Sequence, residues 1–170
     1  MIKRLKQSRE QSKVKSMMIK QLPICIRASH KSDVRTQFSA LCFRVRRGKP
    51  EVLLVTSRGS GRWIVPKGWP IDGKTPADSA AQEAWEEAGV IGRPFDRCLG
   101  LYSYVKTLVE NRDSPIVALV YPIKVKSLAK KFPEEGQRVR KWFSMKKAAA
   151  LVAEPELARI LKDFDPKGLR

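Results

Sequence analysis

Residues Gly68–Val90 read GWPIDGKTPADSAAQEAWEEAGV and are the most informative segment of the chain. It contains three glutamates, Glu83, Glu86 and Glu87, at the spacing i, i+3, i+4. On an α-helix these positions lie on one face, one above another. Carboxylates that crowd together repel each other, so this pattern favours a cation between them. Hard divalent cations, Mg²⁺ above all, take carboxylate oxygens as ligands and often bridge to substrate phosphates.

The ends of this helix are marked in the sequence. Thr75 is a candidate N-cap, Pro76 fits the first helical position, and Asp78 completes a Thr-x-x-Asp pattern that resembles a capping box. Gly89 suits the left-handed position that follows a helix. The loop 66–73 ahead of the helix is rich in Gly and Pro, and such a loop can bring backbone groups close to an ion or a phosphate. The helix is predicted to pack closely on a sheet through a stripe of alanines, Ala77, Ala81, Ala84 and Ala88.

This segment resembles the Nudix box, G-x5-E-x7-R-E-U-x-E-E-x-G-U, in which U is a bulky apolar residue. The matching positions are Gly68, Glu83, Glu86, Glu87, Gly89 and Val90. Three positions depart from the pattern, since Lys74 replaces the first Glu, Gln82 replaces the Arg, and Ala84 is a small choice for the first U. In the family, the Arg and the first Glu brace the loop and orient the carboxylates, and the E-x-x-E-E run binds metal. The resemblance therefore implies that the ligands are present and that part of their support is altered.

The resemblance also implies a reaction, which is hydrolysis of a diphosphate linkage by a water that a bound Mg²⁺ activates, with Mn²⁺ as a substitute ion. The expected metal ligands are the Gly68 carbonyl, Glu83, Glu86 and Glu87. The expected catalytic residues are Glu86 and Glu87, and Glu86 serves as ligand or as base. In several members of the family the base comes from a later loop, where Glu134 and Glu135 are the candidates. The alternative for these two residues is a solvated charge on a loop.

Substrate-binding residues are expected close to the box. Lys67 abuts Gly68, and the resemblance places Arg44 at the end of the first strand, facing the same cleft. Ser57 and Arg58 lie on the adjoining loop, and Trp69 is the best candidate for stacking on a nucleobase. Further candidates for the far rim are Arg138, Arg140 and Lys141. Each basic residue has the alternative of a solvated surface position, since the chain contains 35 Lys and Arg residues.

Strand and helix patterns place the box in an α+β fold, an α/β/α sandwich with a central mixed sheet between helices. Alternating residues over 37–45 and short apolar runs at 51–56, 63–65 and 140–143 predict strands, and 98–106 with 115–125 predict a hairpin. Helices are predicted over 145–152 and from Pro155 to about Phe164. The resemblance covers about residues 36–162, implies the Nudix fold, and is strongest to the branch of diphosphoinositol polyphosphate and diadenosine polyphosphate phosphohydrolases.

Composition limits the remaining possibilities. The chain has 170 residues and a formal net charge of +18, which attracts polyanions of every kind. Residues 1–34 form a basic arm that is predicted to be flexible, 35–165 form the domain, and 166–170 form a tail. The alternative function is a catalytically weak Nudix-fold module that binds RNA or another polyanion. Nucleic acid is therefore a candidate partner without specificity, beside a polyphosphorylated small-molecule substrate and a homodimer partner.

Hydropathy and cysteine usage bear on the compartment. No apolar run approaches the roughly 20 residues that a membrane helix needs. The three cysteines, Cys25, Cys42 and Cys98, are widely spaced and show neither a metal-binding spacing nor a disulfide framework. The expected compartment is therefore the cytoplasm, where thiols stay reduced.

Overall fold

The core of the fold is an eight-stranded mixed sheet, seen in a computed structural model that describes residues 34–107 and 113–169. The strands are β1 (Arg35–Arg46), β2 (Lys49–Thr56), β3 (Trp63–Ile64), β4 (Lys67–Gly68), β5 (Val90–Pro94), β6 (Gly100–Thr107), β7 (Asp113–Leu128) and β8 (Arg140–Ser144). The helices are α1 (Pro76–Ala88), α2 (Met145–Leu151) and α3 (Pro155–Asp163), and a short 3₁₀ turn follows at Pro166–Gly168.

The topology explains how the sheet opens at one end. β1 and β7 run parallel along the centre, and β1 and β2 form an antiparallel hairpin from Phe43↔Val52 to Arg46↔Lys49. Beyond that hairpin the two strands no longer pair with each other. β3 pairs with the far end of β2, and β4 pairs with the start of β1. Residues 63–68 therefore fill the gap between the two strands, and their last residue enters the loop that leads to α1.

Helices cover both faces of the sheet. On one face the alanines of α1, including Ala80 and Ala84, pack against Leu53 and Val55 of β2. On the other face α2 and α3 pack on the alternate residues of the same strands, and Leu157 of α3 belongs to that core. Successive strand residues point to opposite faces, so one strand supplies both cores. This arrangement is the α/β/α sandwich with a mixed sheet that the sequence predicted.

The elements agree with the sequence prediction in most places. The strands β4 and β5 were not predicted. The two-residue β4 lies in the predicted loop 66–73, and β5, with the sequence VIGRP, contains both Gly and Pro. The predicted tail 166–170 contains the 3₁₀ turn, which is tied to the domain because Arg97 Nη1 donates a hydrogen bond to the Gly168 carbonyl, 2.6 Å away. The predicted arm 1–34, apart from Val34, and the loop of the β6–β7 hairpin, residues 108–112, lie outside the described residues. Among the residues that are described, no helix is both long and apolar enough to cross a membrane.

A candidate metal and phosphate cleft

The helix α1 fixes the position of the glutamates. The Thr75 side chain accepts a hydrogen bond from the Asp78 N–H, 3.1 Å away, which satisfies one of the free donors at the helix start. At the other end Gly89 adopts a φ of 63°, and its N–H bonds back to the carbonyls of the last turn. Because the alanine stripe binds one side of the helix to the sheet, Glu83 and Glu87 both lie at the cleft beside it.

The cleft lies at the open end of the sheet and has a volume of about 630 Å³. The cleft is lined by the loop after β2, the segment around β3 and β4, the C-terminal half of α1, the end of β6, the start of β1 and the loop before β8. The acidic residues of its lining are Glu83, Glu87 and Glu134. The basic residues are Arg58, Arg62, Lys67, Lys106 and Arg138. The cleft therefore combines carboxylates with an excess of cationic side chains. This combination suits an anionic ligand that binds together with a metal ion.

The backbone of Gly68 lies directly against the carboxylate of Glu83. A Cβ added at Gly68 would lie 1.9 Å from Glu83 Oε1 and 2.0 Å from its Cδ. No other residue type leaves room for this approach, because any side chain begins with that Cβ. The pairing of Gly68 with Phe38 of β1 holds this backbone in place. The β4 segment is thus a rigid cradle for one of the two carboxylates.

The electrostatics of the two carboxylates favour a cation. Burial, followed by the nearby Glu87 and Glu86, raises the pKa of Glu83 to about 7. Burial also raises the pKa of Glu87, although Arg138 and Lys67 oppose that shift. Like charges at short range destabilise the ionised form of both groups, and a bound cation would relieve this. Carboxylate oxygens are the donor set that Mg²⁺ accepts, so Glu83 and Glu87 fit such an ion.

The third glutamate of the box takes a different position. Glu86 Oε1 accepts a hydrogen bond from Gln82 Nε2 at 2.7 Å, and Glu86 does not line the cleft. Gln82 stands where the Nudix box has Arg, so it braces this glutamate through a neutral amide. Within the described residues no group of three or more His, Cys, Asp or Glu side chains lies close enough together to hold a metal ion. The geometry therefore brings two of the three predicted ligand side chains to the cleft.

Arg138 is the partner of the buried Glu87. Arg138 Nη2 lies 2.7 Å from Glu87 Oε1, and its Nε lies 2.6 Å from Glu134 Oε2. The backbone N–H of Lys67 donates to the other oxygen of Glu87, Oε2, at 3.4 Å. Both oxygens of Glu87 are thus engaged in the structure.

The cations of the cleft are supported by aromatic rings. Lys67 Nζ lies 5.2 Å from the centre of the Tyr104 ring, and Lys106 Nζ lies 5.2 Å from the centre of the Trp69 ring. Burial lowers the pKa of Lys67 to about 8, although Glu87 acts in the opposite direction. Lys67 is therefore a partly buried cation of the cleft, and such a cation interacts more strongly with a phosphate than one in bulk water does.

The structure brings most of the predicted site residues together. The cleft lining includes Ser57, Arg58, Lys67, Gly68, Trp69, Glu83, Glu87 and Glu134. Of the candidates for the far rim, Arg138 also lines the cleft. Apart from Arg44, the predicted residues that lie outside the lining are Glu86, described above, Arg140, Lys141 and the exposed Glu135.

The expected place of Arg44 needs correction. Arg44 lies at the far end of β1, where its guanidinium pairs with Glu51 at 2.7 Å and stacks over Trp142 at 4.1 Å. Gly68 pairs with Phe38, six residues earlier on β1, which corresponds to a separation of about 20 Å along the strand. The expectation rested on the matching position of Arg44 in the resembling branch, and the sequence of β1 does not tell which end of the strand meets the cleft.

Several residues of the cleft were not predicted. Tyr104 and Lys106 of β6 reach it because β6 pairs with β7 beside β1, and Gln37 lies at the start of β1. The hydroxyl of Tyr104 donates a hydrogen bond to Gln37 Oε1. Alternation along the predicted hairpin strand groups Tyr104 with Tyr102, but it does not place either residue at the cleft. Arg62 was likewise not predicted as a residue of the cleft. The one indication in the sequence was its position next to the predicted strand at 63–65.

Comparison with known proteins identifies relatives of this chain. The family model described as NUDIX domain matches residues 35–164. Human diphosphoinositol polyphosphate phosphohydrolase 3-alpha is 33% identical over 112 residues, which cover 65% of this chain and 64% of that protein. The rat (Rattus norvegicus) diphosphoinositol polyphosphate phosphohydrolase 2 is 30% identical over 124 residues, which cover 72% of this chain and 65% of that protein. The matches thus span slightly less than two thirds of these two relatives.

Solved structures share the fold at lower identity. The Ap4A hydrolase of C. elegans superposes with a TM-score of 0.54 and 18% identity, over 76% of this chain and 94% of that chain. The MutT protein of Methanosarcina mazei Go1 superposes with a TM-score of 0.54 and 21% identity, over 81% of this chain and 96% of that chain. At these identities the likeness establishes the architecture alone.

Proposed function

The chain belongs to the Nudix family, and from that premise we propose that it is a Mg²⁺-dependent hydrolase of a diphosphate linkage in a polyphosphorylated small molecule. The observation that carries this proposal is the cleft itself, where Glu83 and Glu87 lie beside an excess of Lys and Arg. Phosphoryl and pyrophosphoryl transfer depend on charge neutralisation and positioning more than on covalent chemistry. The residues of this cleft are of the types that supply both.

The metal would be held by Glu83 and Glu87, with the carbonyl of Gly68 as a further ligand. Glu86 would join them only by turning from Gln82 into the cleft, whose lining does not include it in this structure. When bound, Mg²⁺ neutralises phosphate oxygens and lowers the pKa of a coordinated water, and Mn²⁺ can replace it. The close approach of Glu83 to the Gly68 backbone and the raised pKa values of both glutamates support this assignment. We assign base catalysis to a glutamate, either Glu86 or Glu87 of the box or Glu134 on the loop before β8.

The phosphates of the substrate would be bound by the cationic side chains. Lys67 lines the cleft, and Arg58 on the rim is 63% exposed, 3.7 Å from Glu134 Oε1. Ser57 lies beside Arg58 and adds a hydroxyl. Trp69 is 37% exposed and is the aromatic surface on which a nucleobase could stack, once Lys106 moves from its ring.

The candidate substrates are the three that the family resemblance implies, namely a diphosphoinositol polyphosphate, a diadenosine polyphosphate and a nucleoside diphosphate derivative. Two relatives at 30–33% identity are named for the first of these. The first two carry many phosphates, which matches a cleft with five basic residues. The cytoplasm remains the proposed compartment, since the described cysteines Cys42 and Cys98 are both free thiols.

The test is phosphate release by the purified protein from a panel of these compounds, with nucleoside triphosphates and a 5′-triphosphorylated RNA added for comparison. We expect turnover of at least one polyphosphorylated small molecule with Mg²⁺, its loss when EDTA removes the ion, and its return when Mg²⁺ is restored. No turnover of any compound by a folded, Mg²⁺-loaded protein would contradict the proposal and favour a binding module. Preference for the RNA would contradict the assignment to small molecules.

A further inference from the structure

We propose that Arg138 is the positioning residue of this site, because its guanidinium holds the carboxylates of Glu87 and Glu134 as one oriented pair beside the cleft. The inference rests on the proposed function and assigns a role to a residue that lies 51 positions from Glu87, outside the box. It acts through the carboxylates that it holds, and no contact with substrate is required of it.

The guanidinium uses all three of its nitrogens in the structure. Nη2 binds Glu87 Oε1 at 2.7 Å, Nε binds Glu134 Oε2 at 2.6 Å, and Nη1 donates to the Thr56 carbonyl at 3.1 Å. The side chains of Arg138 and Glu87 are only 6% and 8% exposed. The guanidinium is planar, so the three contacts fix the directions of both carboxylates relative to the end of β2. A lysine would supply the charge without this fork.

The backbone beside Arg138 is fixed as firmly as its side chain. The Thr56 N–H donates to the Val139 carbonyl at 2.9 Å, and the Val139 N–H donates to Thr56 Oγ1 at 2.9 Å. On the other side, the Glu134 N–H donates to the Glu86 carbonyl at 3.0 Å, so the loop before β8 is docked on α1. Arg138 is thus anchored to β2, and the hydrogen bonds on both sides of it fix its distance from α1.

The helix does not brace Glu87 through the residue that the box normally uses. Gln82, at that position, donates its amide hydrogen to Glu86. Arg138 supplies the cationic partner from another part of the chain. Without it, the Lys67 N–H would be the one remaining donor to the buried Glu87 carboxylate among the described residues. A buried charge that loses its partner is strongly destabilised, so the pair is expected to behave as a unit.

The kinetic test compares Arg138→Lys, Arg138→Gln and Arg138→Ala with the wild type. If Arg138 orients carboxylates, kcat falls by about 10²-fold in all three variants, the loss that a displacement of about 1 Å produces, and KM changes less than threefold. Guanidinium ion at millimolar concentration should restore part of the activity of Arg138→Ala, and methylammonium should not. A rise in KM with kcat unchanged would show that Arg138 binds substrate phosphate instead. Full activity of Arg138→Lys would also overturn the proposal.

A structural control comes from the neighbouring Arg140. Arg140 was a candidate for the far rim, but it lies outside the cleft lining. Its guanidinium donates to the carbonyls of Ala88 and Ala129, and no contact with either carboxylate of the pair is seen among the described residues. Arg140→Gln should therefore lower the melting temperature while kcat of the folded protein stays within threefold of the wild type. If Arg140→Gln lowers kcat as much as Arg138→Gln does, the effect is one of stability, and the proposal fails.

A double-mutant cycle on the metal-free protein tests the pair without any turnover. Arg138→Gln alone should lower the melting temperature, and it should do so by less than half as much in a Glu87→Gln background. Equal shifts in both backgrounds would show that Arg138 and Glu87 are not coupled. Because this measurement needs no substrate, absence of turnover in the wild type would refute the proposed function and still leave the pairing to be judged by the cycle.

Discussion

Replacing Gly68 with alanine adds one methyl group at the most crowded point of the cleft. That methyl would lie 1.9 Å from Glu83 Oε1 and 2.3 Å from Oε2, whereas ordinary van der Waals contact begins at 3.4 Å. The carboxylate must therefore move by about 1.5 Å, which is the difference between the shortest of these distances and an ordinary contact. Since the atoms in the way belong to the far end of a flexible side chain, Glu83 can rotate aside while the sheet stays in place.

The expected consequences for stability and for turnover are very different in size. An off-rotamer side chain costs about 1 kcal/mol, which lowers the melting temperature of a domain of this size by about 2–4 °C. A displaced carboxylate costs far more in catalysis, because a misplacement of about 1 Å can reduce turnover about 10²-fold. Gly68→Ala should therefore remain folded and lose about 10²-fold in Mg²⁺-dependent phosphate release.

Two assays on the same preparation separate these effects. Thermal unfolding reports the fold, and steady-state phosphate release at saturating Mg²⁺ reports the site. The matched control is Gly168→Ala, in the 3₁₀ turn, where an added Cβ meets its nearest neighbour, Arg97 Nη1, at an ordinary 3.8 Å. This substitution should change neither the melting temperature nor the rate of phosphate release by much. Turnover of Gly68→Ala within threefold of the wild type would refute the reasoning that Glu83 acts from its place against Gly68.

Three further predictions concern Glu83, Lys74 and Trp69. The pKa of Glu83 is raised from its ordinary 4.5 to about 7 in the metal-free fold, so the folded state favours the protonated carboxyl. The resulting contribution to the free energy of unfolding is fully present below pH 4.5 and is lost as the pH rises to about 7. Melting temperatures from pH 4 to 8 should show this decline in the wild type and a smaller one in Glu83→Gln; equal slopes would contradict it. Lys74→Glu should change kcat less than tenfold, because Lys74 is exposed, and a loss of a hundredfold or more would show a substrate contact. Trp69→Ala should raise KM for a diadenosine polyphosphate more than for a diphosphoinositol polyphosphate; equal changes would exclude base stacking on Trp69.

The sequence predicted the part of the site that depends on local spacing. Helix periodicity alone places Glu83 and Glu87 on one face, and Thr75 and Gly89 mark the ends of α1 where the structure has them. The strand patterns likewise predicted β1 and β2, whose residues alternate between two cores. These features need only the geometry of one helix or one strand, so they are readable without tertiary information.

The part that the sequence did not predict depends on contacts between distant segments. Arg138 meets Glu87 across 51 residues, and Tyr104 meets Gln37 across 67. No periodicity connects such positions, because the sheet topology decides which ends of which strands meet. The same limit explains Arg44, because the sequence of β1 does not tell which end of the strand meets the cleft.

The most direct test of the central claim is Mg²⁺-dependent phosphate release by the wild type and by Glu87→Gln, measured side by side on a diphosphoinositol polyphosphate and a diadenosine hexaphosphate. Thermal unfolding of each protein establishes that both are folded. We expect turnover of at least one compound by the wild type and a loss of about 10²-fold or more in Glu87→Gln. Equal turnover by the two folded proteins would contradict the assignment of this carboxylate to the reaction.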